Sequence, residues 1–518
     1  MIKDPPLWWA NRFWPRHIAE RKFLFAGQSG SGKTISIRLL FQTAVTGFKR
    51  GVPRRALVYD AKGDWPGIVA GVTAGWMDPP RVIKLNPFDA EGYGYDYQAD
   101  FDRCQNLASK TANFAKTLIP DSSLGRDKNS NFFVSAAQLM LHWTTLLTHE
   151  RAKRWTGRDI FVIASDSRLV GALFDRDDRA RAVLNEFRST PVTYANVMQT
   201  VASFLWQLEP AALAWEHHIA NGRRLTFRDW FGGEDILILS GADENPAAVE
   251  PINALLLELF RQELRNRPEH PWYLPDVPET WLFLDEFQQI HPLPHLVDFF
   301  TLSRSKGATQ CIGLQEATQL FHTYGEHVAN TILGQCGYVG VMKLNSPATA
   351  AYFEKRIGSF EEVKTFQQTG TSTSSPPGVG QTTTVSEGTS EQLVTRPGML
   401  AQEFSQLEEV GPGLWIDGIY VANGPFERRR YSAKLGGCPL LEPPPGFENF
   451  RPLNPASITR PRAFSRDDFE RLGFSRDEIP ADYFGQPRAE PPRIETLRKL
   501  VKGWEALGDS STLDGKSD

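Results

Sequence analysis

Residues Gly27-Gln28-Ser29-Gly30-Ser31-Gly32-Lys33-Thr34 follow the apolar run Phe23-Leu24-Phe25 and lead into the helix-like stretch Ile35–Phe41. The pattern is G-x-x-x-x-G-K-T in a strand–loop–helix setting, which defines a P-loop. Its glycines let the backbone wrap a phosphate chain, and N–H groups at a helix N-terminus point at the phosphate oxygens. Gly27 to Thr34 are therefore expected to bind a nucleotide. In that role Lys33 reaches the β/γ-phosphates and the Thr34 hydroxyl ligates Mg²⁺.

Such a loop needs a carboxylate on a neighbouring strand. Trp281-Leu282-Phe283-Leu284-Asp285-Glu286 supplies it as a buried strand ending in two acids. Asp285 is expected in the Mg²⁺ shell, and Glu286 is placed to polarise an attacking water, which favours hydrolysis over switching. The next apolar run ends at Leu314-Gln315, and strand C-termini are where ligands sit in open α/β sheets. Gln315 is a candidate to sense the γ-phosphate or orient water. Ser303-Arg304-Ser305-Lys306-Gly307 precedes that run, and Arg304 reads either as a surface charge or as a finger that reaches a neighbour's nucleotide. Tyr59-Asp60-Ala61-Lys62-Gly63-Asp64-Trp65 closes another run, so its charges fall at the same edge of the sheet.

Further apolar runs at Lys22–Ala26, Ala56–Asp60, Arg81–Leu85, Asp235–Ser240, Thr309–Leu314 and Tyr338–Lys343 predict buried parallel strands in an α/β sheet. Residues 99–225 have helical periodicity and few strand signals, which predicts an all-helical insertion between residues 1–98 and 226–440 of one nucleotide-binding domain. Within the latter, 369–390 is Ser/Thr/Gly-rich around Pro376-Pro377 and predicts a mobile loop. Residues 441–518 hold ten prolines and two copies of Phe-Ser-Arg-Asp-Asp/Glu, at Phe464 and Phe474. Ser465 with Asp468, and Ser475 with Glu478, have capping-box spacing. The expectation is a Pro-rich docking tail with short helices.

Composition narrows the function classes. With 57 Lys+Arg against 61 Asp+Glu, the 518-residue chain carries a net charge of −4. That excludes a wholly basic coat for nucleic acid but not a local basic groove. Basic clusters at Lys49-Arg50 with Arg54-Arg55, at Arg151 with Lys153-Arg154, and at Arg428–Arg430 read as solvated faces. Four cysteines without C-x-x-C spacing exclude a disulfide scaffold and a zinc ribbon, and fit a reducing cytoplasm. No run reaches the ~18–20 apolar residues of a membrane span. The aromatic segment Leu7-Trp8-Trp9 with Phe13-Trp14 reads as a flap on the first domain, with a membrane interface as the alternative.

Together these motifs resemble the type IV coupling proteins of conjugation and type IV secretion, within the FtsK/HerA group of P-loop motors. Tyr59-Asp60-Ala61-Lys62-Gly63-Asp64 resembles the family's D-P-K-G-E segment, with Ala61 in place of the proline. Leu85-Asn86-Pro87-Phe88-Asp89, Phe227-Arg228-Asp229-Trp230, Leu284-Asp285-Glu286-Phe287, Ser303–Gly307 and Gly313–Leu320 resemble its later motifs. The resemblance implies a RecA-like domain interrupted by an all-α domain, ATP and Mg²⁺ as cofactors, and a homo-hexameric ring around DNA, single- or double-stranded. It also implies Arg304 acting in trans and Gln315 as γ-phosphate sensor. Most of these proteins begin with two transmembrane helices, whereas this sequence reaches its first strand almost at once. The expected setting is cytoplasmic, with peripheral docking at the inner membrane and a relaxase or secretion-channel partner. The alternative functions are a soluble HerA/FtsK-like translocase and a protein-substrate receptor in which ATP only controls assembly.

Overall fold

The computed structural model describes residues 5–48, 52–121, 128–240, 246–270, 279–290, 293, 295–374, 382–422, 426–458 and 463–484. Lys49-Arg50, Pro376-Pro377 and the chain after 484 lie outside them. The chain divides into two units: residues 1–93 with 225–453, and residues 94–224 with 454–518. The expected divisions lay at 98, 225 and 440.

The first unit is built on a nine-stranded sheet. Its strands are β1 (Lys22–Ala26), β2 (Arg54–Asp60), β3 (Val82–Lys84), β4 (Ile236–Ser240), β5 (Glu279–Leu284), β6 (Ala308–Leu314), β7 (Cys336–Val341), β8 (Trp415–Ala422) and β9 (Phe426–Ser432). Their order is β9-β8-β7-β1-β6-β5-β2-β4-β3. From β7 to β3 every pairing is parallel, and β8 and β9 add an antiparallel edge. The unbroken apolar runs are explained by this topology, because a central parallel strand is covered on both faces. Thus β1, β5 and β6 are buried along their whole lengths. Register brings Ala26 beside Leu314 and Val341, so the chain leaves three neighbouring strands at one edge of the sheet.

The N-terminal hairpin, Leu7–Trp9 with Arg12–Trp14, is a flap on this unit. Trp8 N donates to Thr43 Oγ1 at 2.9 Å, and the Trp9 ring meets Tyr338 and Tyr420 edge-on. Trp8 and Trp9 are buried in this unit, as a flap requires, while Phe13 on the second strand of the hairpin is 54% exposed. Among the described residues no helix is long and apolar enough to cross a membrane.

Of the expected loop 369–390, residues 369–374 and 382–390 belong to a two-stranded antiparallel ribbon, Ser359–Ser374 paired with Thr382–Pro397, in register from Ser359↔Pro397 to Ser374↔Thr382, while its centre at Pro376-Pro377 lies outside the described residues. Chain entropy argued for a loop, but a run of β-branched Thr and Val favours extended backbone, and the partner strand satisfies the N–H and C=O groups that a core would otherwise cover.

The second unit is helical, from Tyr97–Phe101 through the long Lys128–Arg151 helix to Glu209–Ala220. Part of the Pro-rich tail builds into it. Phe464, Phe469, Phe474 and Tyr483 are buried, with Phe469 edge-on to the other three rings. The Ser465–Asp468 capping box forms and starts the helix Arg466–Arg471. Ser475 N and Oγ both donate to Glu478, around a turn rather than a helix. Arg471 forks onto Asp159 through two 2.8 Å bonds and reaches Asp468 at 2.9 Å. Arg158, fully buried, lies 3.4 Å from Asp468 and 3.7 Å from Asp159.

Candidate nucleotide site

The P-loop connects β1 to helix α1 (Lys33–Val45) at the C-terminal edge of the parallel strands. Gly27 N donates to Leu314 O, and Gln28 N to Lys343 O, each at 3.0 Å, so the adjoining strands fix where the loop starts. Gly30 and Gly32 have φ of +78° and +97°, a region that glycine enters without strain. At Gly32 a Cβ would also come within 3.0 Å of Val410 Cγ2. Val410 N donates to Gly30 O at 3.0 Å, and Gln28 Nε2 donates to Glu409 Oε1 at 3.0 Å, so the segment before β8 lies against the loop.

Four ionisable side chains converge here. Lys33 Nζ is 2.7 Å from Glu286 Oε1 and 3.4 Å from Asp285 Oδ1, and all three residues are buried. The Thr34 hydroxyl donates to Asp285 Oδ2 at 2.9 Å. Lys62 Nζ lies 3.3 Å from Glu286 Oε1 and 3.4 Å from Thr34 Oγ1. Gln315 Nε2 donates to Glu286 Oε1 at 2.7 Å, and Gln288 Nε2 donates to the other oxygen. Burial alone would push the Glu286 carboxyl up, but Lys33, Gln315 and Lys62 outweigh it and hold the group below its ordinary range. The structure thus brings Lys33, Thr34, Asp285, Glu286 and Gln315 into one cluster.

Arg304 is elsewhere. It stands before β6, and its Nη2 pairs with Glu20 Oε2 at 2.9 Å just before β1. Between it and Gln315 runs all of β6, about 20 Å of extended chain at ~3.3 Å per residue. Arg304 therefore lies at the opposite edge of the sheet from the P-loop of its own chain and cannot meet a phosphate there.

Two members of the cluster were missed as site residues. Lys62 lay inside a quoted charged loop, but no spacing rule says where such a loop aims. Here Asp60 aims it: Oδ1 accepts from the N–H groups of Lys62, Gly63 and Asp64, and Oδ2 from that of Trp65. Burial, and Asp64 nearby, push the Asp60 carboxyl up to about 7 against those four bonds. Gly313 is the other. A Cβ there would lie 2.6 Å from Asp285 Oδ1 and 2.9 Å from Ile37 Cδ1. A glycine inside a strand ending in Cys311-Ile312-Gly313-Leu314 was the available signal of such a close approach.

The donor set suits magnesium. Thr34 and Asp285 offer two hard oxygens, and Mg²⁺ takes its other ligands from water and substrate phosphates. Among the described residues no group of three or more His, Cys, Asp or Glu could enclose a metal by itself. With phosphates drawing Lys33, Glu286 would lose its strongest partner and gain basicity toward a water.

The arginines of the described basic clusters are engaged with acids or aromatic rings. Arg55 is buried over Trp230 and Phe231, Arg54 meets Glu279, Arg151 meets Glu478 and Arg154 meets Asp96. Arg428, Arg429 and Arg430 pair with Asp417, Glu427 and Glu408.

Comparison with known proteins adds the following. A family model described as the type IV secretion-system coupling protein DNA-binding domain matches residues 14–414. The coupling protein TraD of Escherichia coli (strain K12) is 24% identical over 367 residues, covering 67% of this chain and 45% of TraD. The chain thus spans about half the length of that curated relative. The unbound monoclinic form of the bacterial conjugative coupling protein TrwBdeltaN70 superposes with a TM-score of 0.61 at 17% identity, covering 87% of this chain and 92% of that one. The plasmid coupling protein TrwB in complex with ADP and Mg²⁺ gives 0.59 at 17% identity, covering 87% and 93%. At these identities the structures establish a common fold.

Proposed function

The chain belongs to the type IV secretion-system coupling protein family, and from that premise we propose that it is an ATP-hydrolysing motor that recruits and translocates DNA in conjugative transfer. One observation carries the proposal: Lys33, Thr34, Asp285, Glu286 and Gln315 meet at the C-terminal edge of the parallel sheet. The plasmid coupling protein TrwB has been solved with ADP and Mg²⁺ and with an ATP analogue, which supports the same ligands here.

In this reading the P-loop N–H groups and Lys33 bind the phosphates, while Thr34 and Asp285 hold Mg²⁺, which supplies charge neutralisation on the transferred phosphoryl group. Glu286 orients and deprotonates the attacking water, and Gln315, already bonded to Glu286, reports whether the γ-phosphate is present. Arg304 serves a neighbouring copy's nucleotide, since its own is at the far edge of the sheet. That assignment requires a ring, and a homo-hexamer with DNA in its channel is the form we propose. A relaxase and a secretion channel at the inner membrane are the partners such a motor would serve.

ATP hydrolysis measured with and without single- and double-stranded DNA tests the reading. DNA should stimulate turnover, Lys33→Ala should abolish it, and DNA binding should weaken steeply with salt. A Lys33→Ala protein that turns over ATP normally would sink the proposal. Mixing Lys33→Ala with Arg304→Ala chains should restore part of the activity if Arg304 acts in trans.

A further inference from the structure

Among the cluster's groups, Lys62 has no place in the hydrolytic scheme, yet its ammonium sits at the most contested point. The Thr34 hydroxyl gives its proton to Asp285 Oδ2 at 2.9 Å, and Lys62 Nζ lies 3.4 Å from the same hydroxyl oxygen, 3.3 Å from Glu286 Oε1. A magnesium ion on Thr34 would take the same hydroxyl oxygen that Lys62 faces. Ammonium and divalent ion would then share one oxygen, which two like charges resist unless an anion lies between them.

The side chains around Lys62 are near charge balance by themselves: Asp285, Glu286 and Asp64 stand against Lys33, Lys62 and Arg38. Metal alone would bring excess positive charge, whereas metal arriving with a nucleotide brings phosphates that both lysines can face. Lys62 is also the lysine able to leave. Its side chain is 49% exposed, against 4% for Lys33. A lysine is suited to such exchange, being a point charge on a flexible stem.

We infer that Lys62 is the site's own cation when no nucleotide is bound, facing the Thr34 oxygen that Mg²⁺ would take and leaving it only when the metal comes with a nucleotide. Metal alone is thereby refused, and Lys62 acts as a specificity-determining residue for the metal–nucleotide complex. The inference rests on the nucleotide-site reading above.

The test titrates the full chain with Mn²⁺ in the absence of nucleotide, reading the free ion by electron paramagnetic resonance. Lys62→Met should bind Mn²⁺ about ten-fold more tightly than the parent, the effect of removing one nearby charge in a partly exposed site. Lys62→Arg should stay within about two-fold of the parent, and Lys62→Gln is the second neutral variant if Lys62→Met does not fold. Adding Asp285→Asn to Lys62→Met should remove the gain. Unchanged or weaker Mn²⁺ binding by the neutral variants overturns the inference, as does a gain that survives Asp285→Asn. ADP binding by the parent is measured alongside. If ADP binds and the neutral variants gain nothing, only the role of Lys62 fails; if ADP does not bind, the nucleotide site itself fails.

Discussion

Two clusters of opposite charge, one in each unit, are built from different chemistry. Around the P-loop, Lys33 and Lys62 both reach one oxygen of Glu286, and no two of these groups form a two-bond fork. In the helical unit, Arg471 grips Asp159 with both arms and adds Asp468, beside a wholly buried Arg158. A lysine exchanges partners at little geometric cost, whereas a guanidinium fork is bound to one planar acceptor. The first cluster is made to be opened by a ligand. The second fastens residues 465–471 of the tail to the helices and has no reason to open. A count of ion pairs would rank the two alike; the identity of the cation tells them apart.

The largest effect expected from perturbing this contrast is at Glu286. Glu286→Gln should lower the rate of ATP hydrolysis by about 10²–10⁴-fold while nucleotide binding persists, read by turnover and by equilibrium binding. Next comes Arg471→Ala, which leaves Arg158 as the one cation near two buried carboxylates and should destabilise the helical unit by ~3 kcal/mol, visible in thermal unfolding. Arg471→Lys should recover little of that loss, whereas Lys62→Arg is tolerated. If both Lys/Arg exchanges behaved alike, the distinction between the clusters would collapse. Gly313→Ala should cost ~1–3 kcal/mol of stability, because a Cβ forces Asp285 or Ile37 aside, and should weaken Mg²⁺-dependent nucleotide binding as well.

The smallest effect is a dependence on pH. Burial would raise the Asp468 carboxyl, but Arg471, the capping bond from Ser465 and Arg158 hold it far below its ordinary range. A carboxyl lowered by folding contributes stability above its unfolded pKa of ~3.9, and that contribution fades as pH falls below it. Unfolding of the helical unit followed from pH 6 to about pH 2 should show this loss. Asp468→Asn should flatten the slope.

The sheet and the heart of the site were legible because their signals are local. A P-loop is contiguous, a fully buried parallel strand is an unbroken apolar run, and Asp285-Glu286 ends one. Lys62 was not legible as a site residue, since its aim depends on Asp60 folding four backbone N–H groups around one carboxylate. The strands on either side of Pro376-Pro377 were not legible because Ser, Thr and Gly mark both solvated loops and solvated strands, and only the register between 359–374 and 382–397 separates them. The tail's fit into the helical unit was hidden for a similar reason: Asp159 and Arg471 are 312 residues apart.

Glu286 holds its backbone at φ +61° and ψ +46°, in the left-handed region. For a residue with a Cβ this conformation costs roughly 1–2 kcal/mol, and for glycine almost nothing. Position 286 is therefore one where two selections disagree. A library of variants sorted only for folded, protease-resistant chains would set that backbone relief at glycine against the loss of Glu286 as partner of the buried Lys33, and the same library sorted for DNA transfer would return to glutamate alone. The gap between the two enrichment profiles marks a catalytic position without reference to any motif, and it is a signature to look for wherever an acidic side chain sits on a left-handed turn at the end of a buried strand.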